Sequence, residues 1–149
     1  MGVETDNMYA VPLEEAWELF GGFLSGPRSA AILVASCGAL PDAARTALDS
    51  SFQRLGWGAC TYLAWPRDLD DPTALFMAVE GLDPSVLVIA DGQMARLCEE
   101  AFRQKPPFLK AFRLNCRDCC AFQDFAALLD SPEHKQRAWA ALKTLPKRQ

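Results

Sequence analysis

The sequence predicts an α/β protein with three layers, in which helices cover both faces of a mostly parallel, four-stranded sheet. Two observations predict this class. Short, continuously apolar runs such as "AAILVAS" (30–36) are typical of strands that are buried on both faces. These runs alternate with helical patterns, which favours a parallel sheet packed between helices. We expect residues 1–149 to form one domain, because no repeat, low-complexity tract or long linker interrupts them.

The first predicted element is an N-terminal helix, "PLEEAWELFGGFL" (12–24). Pro12 suits a first helical turn, and Leu13, Trp17 and Phe20 recur at helical spacing on one face. The apolar run at 30–36 then forms the first predicted strand.

The middle of the chain predicts two further helices around a second strand. The stretch 37–56 is helical, with Gly56 as a left-handed cap, and 57–65 ("WGACTYLAW") is a strand rich in β-favouring residues. Next, 70–81 is a helix with Asp71 as its N-cap, and we expect this helix to end at Gly81.

The last third continues the alternation. A third strand covers 86–90, and a helix follows over 92–104 with an apolar stripe at 3-4 spacing. We expect 108–116 ("FLKAFRLNC") to be the fourth strand, and its Lys110 and Arg113 indicate an edge position. Two helical pieces, 122–130 and 131–145, end the chain.

Composition excludes several classes of protein. Half of the residues are hydrophobic, which is enough for a core without disulfide bonds, and six cysteines are too few for a disulfide scaffold. The first twenty residues contain no Lys or Arg, unlike a secretory signal, and the longest apolar stretch is too short to cross a membrane. We therefore expect a soluble protein of a reducing cytoplasm.

Charge is distributed unevenly along the chain. Residues 1–95 carry thirteen acidic and four basic side chains (net −9), whereas 96–149 carry six acidic and eleven basic ones (net +5). The basic residues are scattered and are not interleaved with aromatic ones. We therefore expect at most weak, salt-labile binding to nucleic acid.

Topology predicts where small-molecule chemistry would sit. Open parallel sheets bind ligands at the carboxyl ends of their strands. The residues that leave the four predicted strand ends are Ser36 and Cys37, then Trp65 and Arg67, then Asp91 and Gln93, then Asn115, Cys116 and Arg117.

Each of these residues has a structural as well as a functional interpretation. Asp91 is a candidate general base, but a helix cap is the favoured role. Cys37 is a candidate nucleophile without a histidine to act as its base, so we favour a buried thiol. Trp65 suits a stacking wall beside Arg67, or the core. Asn115 is a substrate-orienting amide or a turn residue.

The stretch "NCRDCC" (115–120) holds half of the cysteines. Cys116, Cys119 and Cys120 are candidate metal ligands or a redox pair, with His134 or Cys37 as a possible completion. A structural zinc site needs four ligands, and no second cysteine pair exists, so we favour a thiol-rich loop. No P-loop, dinucleotide fingerprint or nucleophile elbow is present, and we expect no cofactor.

In element order, a four-stranded parallel sheet after an N-terminal helix resembles the uracil-DNA glycosylase-like fold. The resemblance covers most of the chain at the level of architecture. That family's Gly-Pro-rich loop that activates water has no counterpart in "SCGALPD" (36–42), and its late histidine-containing loop is absent. The resemblance therefore implies a shape and no catalytic residue.

The favoured function is non-catalytic binding, through self-association or a protein partner. Two Pro-bounded apolar segments near the ends of the chain, which contain Trp17 and Trp139, are suited to dock on another chain. The alternative is a small-ligand binding protein or hydrolase that holds a nucleobase- or phosphate-like group in the crevice at the strand ends. In a hydrolase, Asp91 would activate water, and Asn115 and Arg117 would hold the substrate.

Overall fold

A computed structural model describes residues 12–147 of the chain, so the predicted domain over 1–149 extends beyond the described part. At its centre lies one six-stranded sheet. The strands are β1 (Leu24–Ser25), β2 (Ile32–Cys37), β3 (Thr61–Trp65), β4 (Val86–Ile89), β5 (Ala111–Leu114) and β6 (Arg117–Ala121). Their spatial order is β1-β3-β2-β4-β6-β5. The predicted α/β class is confirmed, although the sheet has six strands and not four.

Four neighbouring strands, β3, β2, β4 and β6, are parallel, and the two edge strands are antiparallel to their neighbours. Val34 of β2 pairs with Tyr62 on one side and with Val88 on the other. All six residues of β2 and all four of β4 are buried. Strands covered on both faces need apolar side chains on both, which explains why they lack alternation in the sequence.

Helices cover both faces of the sheet, so the predicted three layers are present. The helices are α1 (12–20), α2 (Asp42–Arg54), α3 (Pro72–Leu82), α4 (Gly92–Phe102) and α5 (Pro132–Leu142). Helices α1, α3 and α4 pack with Leu33 and Ala35 of β2 in one core, and α2 and α5 pack with Ile32 and Val34 in the other. The period of two along a strand divides the apolar residues between the two cores.

Most predicted helix ends are confirmed by hydrogen bonds. The side chains of Asp71, Asp91 and Ser131 accept from the backbone N–H three residues later, as N-caps do. Gly56, with φ of 86°, follows α2 in a Schellman arrangement, in which the N–H of Trp57 donates to the carbonyl of Phe52.

The predicted end of α3 at Gly81 is wrong, because the helix continues to Leu82 and stops at Asp83, whose φ is 48°. Gly81 has a packing role instead. A Cβ atom there would lie 2.9 Å from the Cβ of Ala16, so the missing side chain lets α1 and α3 approach each other.

The predicted fourth strand over 108–116 is present as the shorter β5 (Ala111–Leu114), but the predicted thiol-rich loop is wrong. Asn115 and Cys116 both have left-handed φ values, 49° and 69°, and form the two-residue turn of a hairpin between β5 and β6. Strand β5 does lie at the edge of the sheet, as predicted, but it is antiparallel. The fourth parallel strand is β6, which contains Cys119 and Cys120.

Three smaller differences concern the ends of the chain. The stretch 12–24 is helical only to residue 20, and it continues through a 3₁₀ turn (Gly21–Phe23) into β1, which the sequence did not predict. The stretch 122–130 forms only a short 3₁₀ helix (Ala126–Leu129).

Between residues 12 and 147, no helix has both the length and the apolar character needed to span a membrane.

Candidate functional site

The carboxyl ends of the parallel strands border a crevice of about 500 Å³, as the topology predicts. Cys37 is the last residue of β2, Arg67 follows β3, and Asp91 and Gln93 follow β4. These three loops therefore meet as expected.

The fourth predicted loop lies elsewhere. Asn115, Cys116 and Arg117 lie at the opposite end of the sheet, because β5 is antiparallel and β6 begins after their turn. The Arg117 side chain is buried, donates to the carbonyl of Pro84, and pairs with Glu80 at 2.6 Å and Asp83 at 3.2 Å. It anchors the start of β6 to the end of α3 and does not face the crevice.

Gln123 and Asp124, which follow β6, take the place of that loop in the crevice. The carbonyl of Gln123 accepts from the N–H of Gly92 at 2.8 Å, which joins the β6 and β4 ends. Neither residue was predicted from the sequence, because β6 was not recognised as a strand. The available signal was the Asn at position 115, since Asn is among the few residues that commonly adopt the left-handed conformation of tight hairpin turns.

Asp91 uses both carboxylate oxygens to hold the backbone. One oxygen accepts from the N–H of Met94 at 2.8 Å and caps α4, and the other accepts from the N–H of Cys37 at 2.9 Å. The favoured cap interpretation is therefore confirmed, and the second bond also ties the end of β2 to the start of α4.

Cys37 and Ser36 are buried where β2 ends. Burial, and next the nearby carboxylate of Asp91, raise the pKa of the Cys37 thiol to about 11, so the thiol is neutral near neutral pH. The hydroxyl of Ser36 donates to the carbonyl of Gly38 at 2.8 Å. Both side chains face the protein interior, which fits a structural role better than nucleophilic catalysis.

Trp65 belongs to the core. Its side chain is fully buried, its ring lies 5.9 Å from that of Phe20 and 5.7 Å from that of Phe23, and its indole N–H donates to the carbonyl of Leu69. The favoured core interpretation of Trp65 is therefore confirmed, and its ring forms no stacking wall beside Arg67 in the crevice.

Exposed polar side chains line the crevice. Arg67 lies against Gly38, where an added Cβ would approach the guanidinium Nε to 2.7 Å, so glycine makes room for this side chain. The amide of Gln93 donates to the carbonyl of Arg67 at 3.0 Å. A smaller cleft of about 220 Å³ adjoins the crevice and brings Arg96 next to Arg67. Two guanidinium groups and two amides, those of Gln93 and Gln123, are thus available to a ligand.

The candidate metal ligands are separated. Cys116 is exposed at the hairpin turn, whereas Cys119 and Cys120 lie in the two different cores on opposite faces of the sheet. Burial raises the pKa of both buried thiols to about 12. Within residues 12–147, no three His, Cys, Asp or Glu side chains are grouped as a metal site. His134, in the first turn of α5, instead pairs with Asp130, which directly precedes the N-cap Ser131.

A second concave surface lies between α2 and α5 on the opposite face of the sheet from α1. This surface, the α2–α5 groove, has a volume of about 510 Å³. It is lined mainly by apolar side chains, namely Ala43, Ala47, Phe125, Leu129, Ala138, Trp139 and Leu142. The Trp139 indole is held by two cations, with the Arg54 guanidinium 4.5 Å and the Lys143 ammonium 5.7 Å from its ring centre.

Comparison of the sequence with models of known protein families finds no match, and comparison with curated proteins finds no relative.

Proposed function

We propose that this protein is a non-catalytic binding domain that docks an acidic, amphipathic helix of a protein in the α2–α5 groove. The observation that carries the proposal is the apolar groove itself, with a partly exposed tryptophan in its wall. Grooves between helices accept the apolar face of another helix, whose side chains recur at every third or fourth position. Tryptophan is also the residue type most enriched among the anchors of protein interfaces.

The charge of the groove specifies the sign of its partner. Arg54 and Lys135 are among its lining residues, which include no Asp or Glu. Lys143 adds a third positive charge beside Trp139. A helix whose apolar stripe is flanked by Glu or Asp would place opposite charges along this rim, which favours the correct orientation and speeds association.

The crevice supports catalysis less well than binding. Both carboxylate oxygens of Asp91 already accept backbone N–H groups, and the raised pKa of Cys37 keeps its thiol protonated. Nucleophilic catalysis needs an activated group with a base beside it, and these two candidates are neither activated nor exposed. This difference is why we favour a binding function over a hydrolase.

A labelled peptide tests the proposal. The probe is a designed helix of about 18 residues, five turns, with leucines at helical spacing and glutamates elsewhere. The matched probe carries lysine in place of every glutamate. We expect fluorescence anisotropy to show saturable, micromolar binding of the acidic probe and much weaker binding of the basic one.

Two charge reversals provide matched variants. Lys135 lines the groove, whereas Lys105 is exposed in the loop after α4 and does not line it. Lys135→Glu should weaken binding of the acidic probe roughly tenfold, as expected for replacing an attraction by a repulsion. Lys105→Glu changes the net charge equally and should leave binding unchanged. Equal effects of the two variants, or no binding of the acidic probe by the wild type, would refute the proposal.

A second candidate function is the binding of a small anionic ligand, nucleobase- or phosphate-like, in the crevice. The observation that favours it is the proximity of Arg67, Arg96 and two exposed amides in adjoining clefts. A thermal-shift screen with nucleotides, bases and sugar phosphates tests this, since a ligand at a hundred times its Kd adds about 2.7 kcal/mol to stability. Arg67→Gln should abolish any shift, and the absence of a shift with every compound would exclude this function for those classes.

Two broader assignments stay proposals. We propose a cytoplasmic location because all six cysteines are unpaired, which suits a reducing compartment. The glycosylase-like shape is supported by the four parallel strands that follow α1. It brings no expectation of DNA chemistry, because the crevice lacks both of that family's catalytic loops.

A further inference from the structure

We propose that the α2–α5 groove accepts the outer, acidic side of α1 and α3 of a second copy of this chain, so that copies associate head to tail. This inference rests on the groove being a helix-binding site, and it adds the identity of the partner. It is carried by a second surface, on the opposite layer, whose shape and charge complement the groove.

The second surface is the outer side of α1 and α3, which we call the acidic face. In the described part of the chain, the large hydrophobic side chains that remain exposed are Leu19, Phe76 and Met77, and all three lie on these two helices. Leu19 is 64 % exposed and Met77 is 52 % exposed. The two helices are in direct contact at Gly81, so their outer sides form one continuous surface. Exposed apolar side chains gathered on one side of a molecule mark an interaction surface.

The charge of this face is opposite to that of the groove. Residues 12–20 carry Glu14, Glu15 and Glu18 and no basic residue, although the Arg28 guanidinium lies over the Trp17 ring. Glu80 of α3 is already paired with Arg117 and adds no unpaired charge. Leu19 is therefore an exposed apolar side chain with carboxylates beside it. The groove presents the converse arrangement, with apolar walls, Arg54 and Lys135. One chain thus carries both an acidic helix and a groove for one.

The position of the two surfaces determines the kind of assembly. The acidic face belongs to the layer that covers one side of the sheet, and the groove belongs to the layer on the other side. A contact between two different surfaces leaves one acidic face and one groove unused at the ends of every open assembly. Such contacts produce open chains, or rings in which both surfaces of every copy are used, whereas a two-fold dimer uses the same surface twice.

Pairing of sheet edges is a less suitable route to self-association. At the β5 edge, the outward N–H of Ala111 donates to the hydroxyl of Thr144, and the carbonyl of Arg113 accepts from the amide of Gln104. At the other edge, β1 is only two residues long. Edges that are short or already hydrogen-bonded resist the addition of another strand.

Sedimentation velocity over micromolar to millimolar concentrations tests the proposal. We expect the mass of the wild type to rise above 16.4 kDa with concentration and to fall again when salt is added, since exposed charge pairs are screened. Two variants each weaken one surface, namely Lys135→Glu in the groove and Glu18→Gln on the acidic face, and the two altered surfaces carry no opposite charges that could attract each other. Both positions are exposed, so neither change disturbs a core. Lys135→Glu alone should associate roughly tenfold more weakly than the wild type, and Glu18→Gln alone roughly threefold more weakly.

Mixing the two variants gives the decisive result. The groove variant keeps an intact acidic face, and the acidic-face variant keeps an intact groove, so the mixture should form a 1:1 pair of twice the monomer mass and nothing larger. The controls are Lys105→Glu in the loop after α4 and Glu100→Gln, which lines the small cleft beside the crevice; they make the same charge changes outside the groove lining and outside α1 and α3, and should behave as the wild type.

Three results would overturn the inference. They are a wild type that stays monomeric at millimolar concentration, a mixture that forms no pair, and a groove variant that associates as well as the wild type. The peptide titration separates these failures from failure of the proposed function. If the designed acidic peptide still binds the groove and distinguishes Lys135→Glu from Lys105→Glu, the groove binds helices and its partner is another protein.

Discussion

Replacing Asp91 with alanine removes two hydrogen bonds that hold different elements, and the cost can be worked out from the structure. One carboxylate oxygen caps α4 through the N–H of Met94, and loss of such a cap costs about 1 kcal/mol. The other oxygen satisfies the N–H of Cys37 at the end of a buried strand, and leaving a buried donor unpaired costs about 1–3 kcal/mol. We expect Asp91→Ala to lower the free energy of unfolding by about 2–4 kcal/mol.

Asp71 provides the matched control for this prediction. Its side chain caps α3 through a single bond to the N–H of Ala74, at an exposed position. Asp71→Ala should therefore cost only about 1 kcal/mol. Asp91→Asn should fall between the two alanine variants, because an amide presents one oxygen where the carboxylate presents two.

Urea denaturation followed by circular dichroism measures these differences as shifts in the midpoint at a constant m-value. Equal losses for Asp91→Ala and Asp71→Ala would refute the reasoning, because they would mean that the bond to Cys37 contributes nothing to stability. A changed m-value would show that the variant alters the compactness of the native or the denatured state. Hydrogen exchange of the Cys37 and Met94 amides would then measure the loss of local stability instead.

Three further predictions concern buried groups. The pKa values of the Cys37 thiol (about 11) and of the Cys119 and Cys120 thiols (about 12) are raised above the ordinary 9.0, so their contribution to stability is complete below pH 9 and is lost as the pH rises toward those values. Urea midpoints that stay level over this alkaline range would contradict it. Arg117→Lys should lower the free energy of unfolding by about 1–3 kcal/mol, because a lysine cannot bond Glu80, Asp83 and the Pro84 carbonyl together. The control is Arg113→Lys, in the exposed pair with Asp118, which should lower it by less than about 0.5 kcal/mol. Native protein should bind no stoichiometric zinc by competition with a chromophoric chelator, since Cys119 and Cys120 lie on opposite faces of the sheet, and a 1:1 complex would disprove the separation.

The features that sequence reasoning predicted well are those that local chemistry determines. Strands β2 and β4 are continuously apolar because both of their faces are covered. Asp71, Asp91 and Ser131 are caps because a side-chain oxygen at the start of a helix satisfies a backbone N–H three residues later. These effects act within a few residues and can be read directly from the chain.

Strand β6 was missed because its partners are distant in the sequence. "RDCCA" (117–121) begins with two charged residues and does not read as a buried strand. Arg117 is nevertheless buried, since Glu80 and Asp83, more than thirty residues earlier, offset its charge. The burial of Arg117 cannot be recognised from the sequence around it, because both of its acidic partners are distant along the chain. The error then reversed the direction of the preceding strand and moved three candidate residues, Asn115, Cys116 and Arg117, to the wrong end of the sheet.

The α2–α5 groove was also beyond sequence reasoning, for a different reason. Trp139 was recognised within an apolar segment near the end of the chain, but its surroundings depend on how α2 and α5 are spaced. Arg54 reaches Trp139 from another helix, and Leu129 and Phe125 form the floor from the segment between strand and helix. A groove is a property of two elements and the gap between them, so only the assembled layers display it.

The contrast between the crevice and the groove is the physical basis for preferring binding over catalysis. In the crevice, the candidate catalytic residues already have structural roles: Asp91 accepts hydrogen bonds from two backbone amides, and Cys37 is a neutral, buried thiol. In the groove, Trp139 packs against the core and contacts Arg54 and Lys143, yet it stays only partly buried, and the groove-lining Lys135 is exposed to solvent. An open apolar surface with an aromatic ring and cations at its rim is typical of an interaction site, and the acidic face of the same protein has the complementary charge.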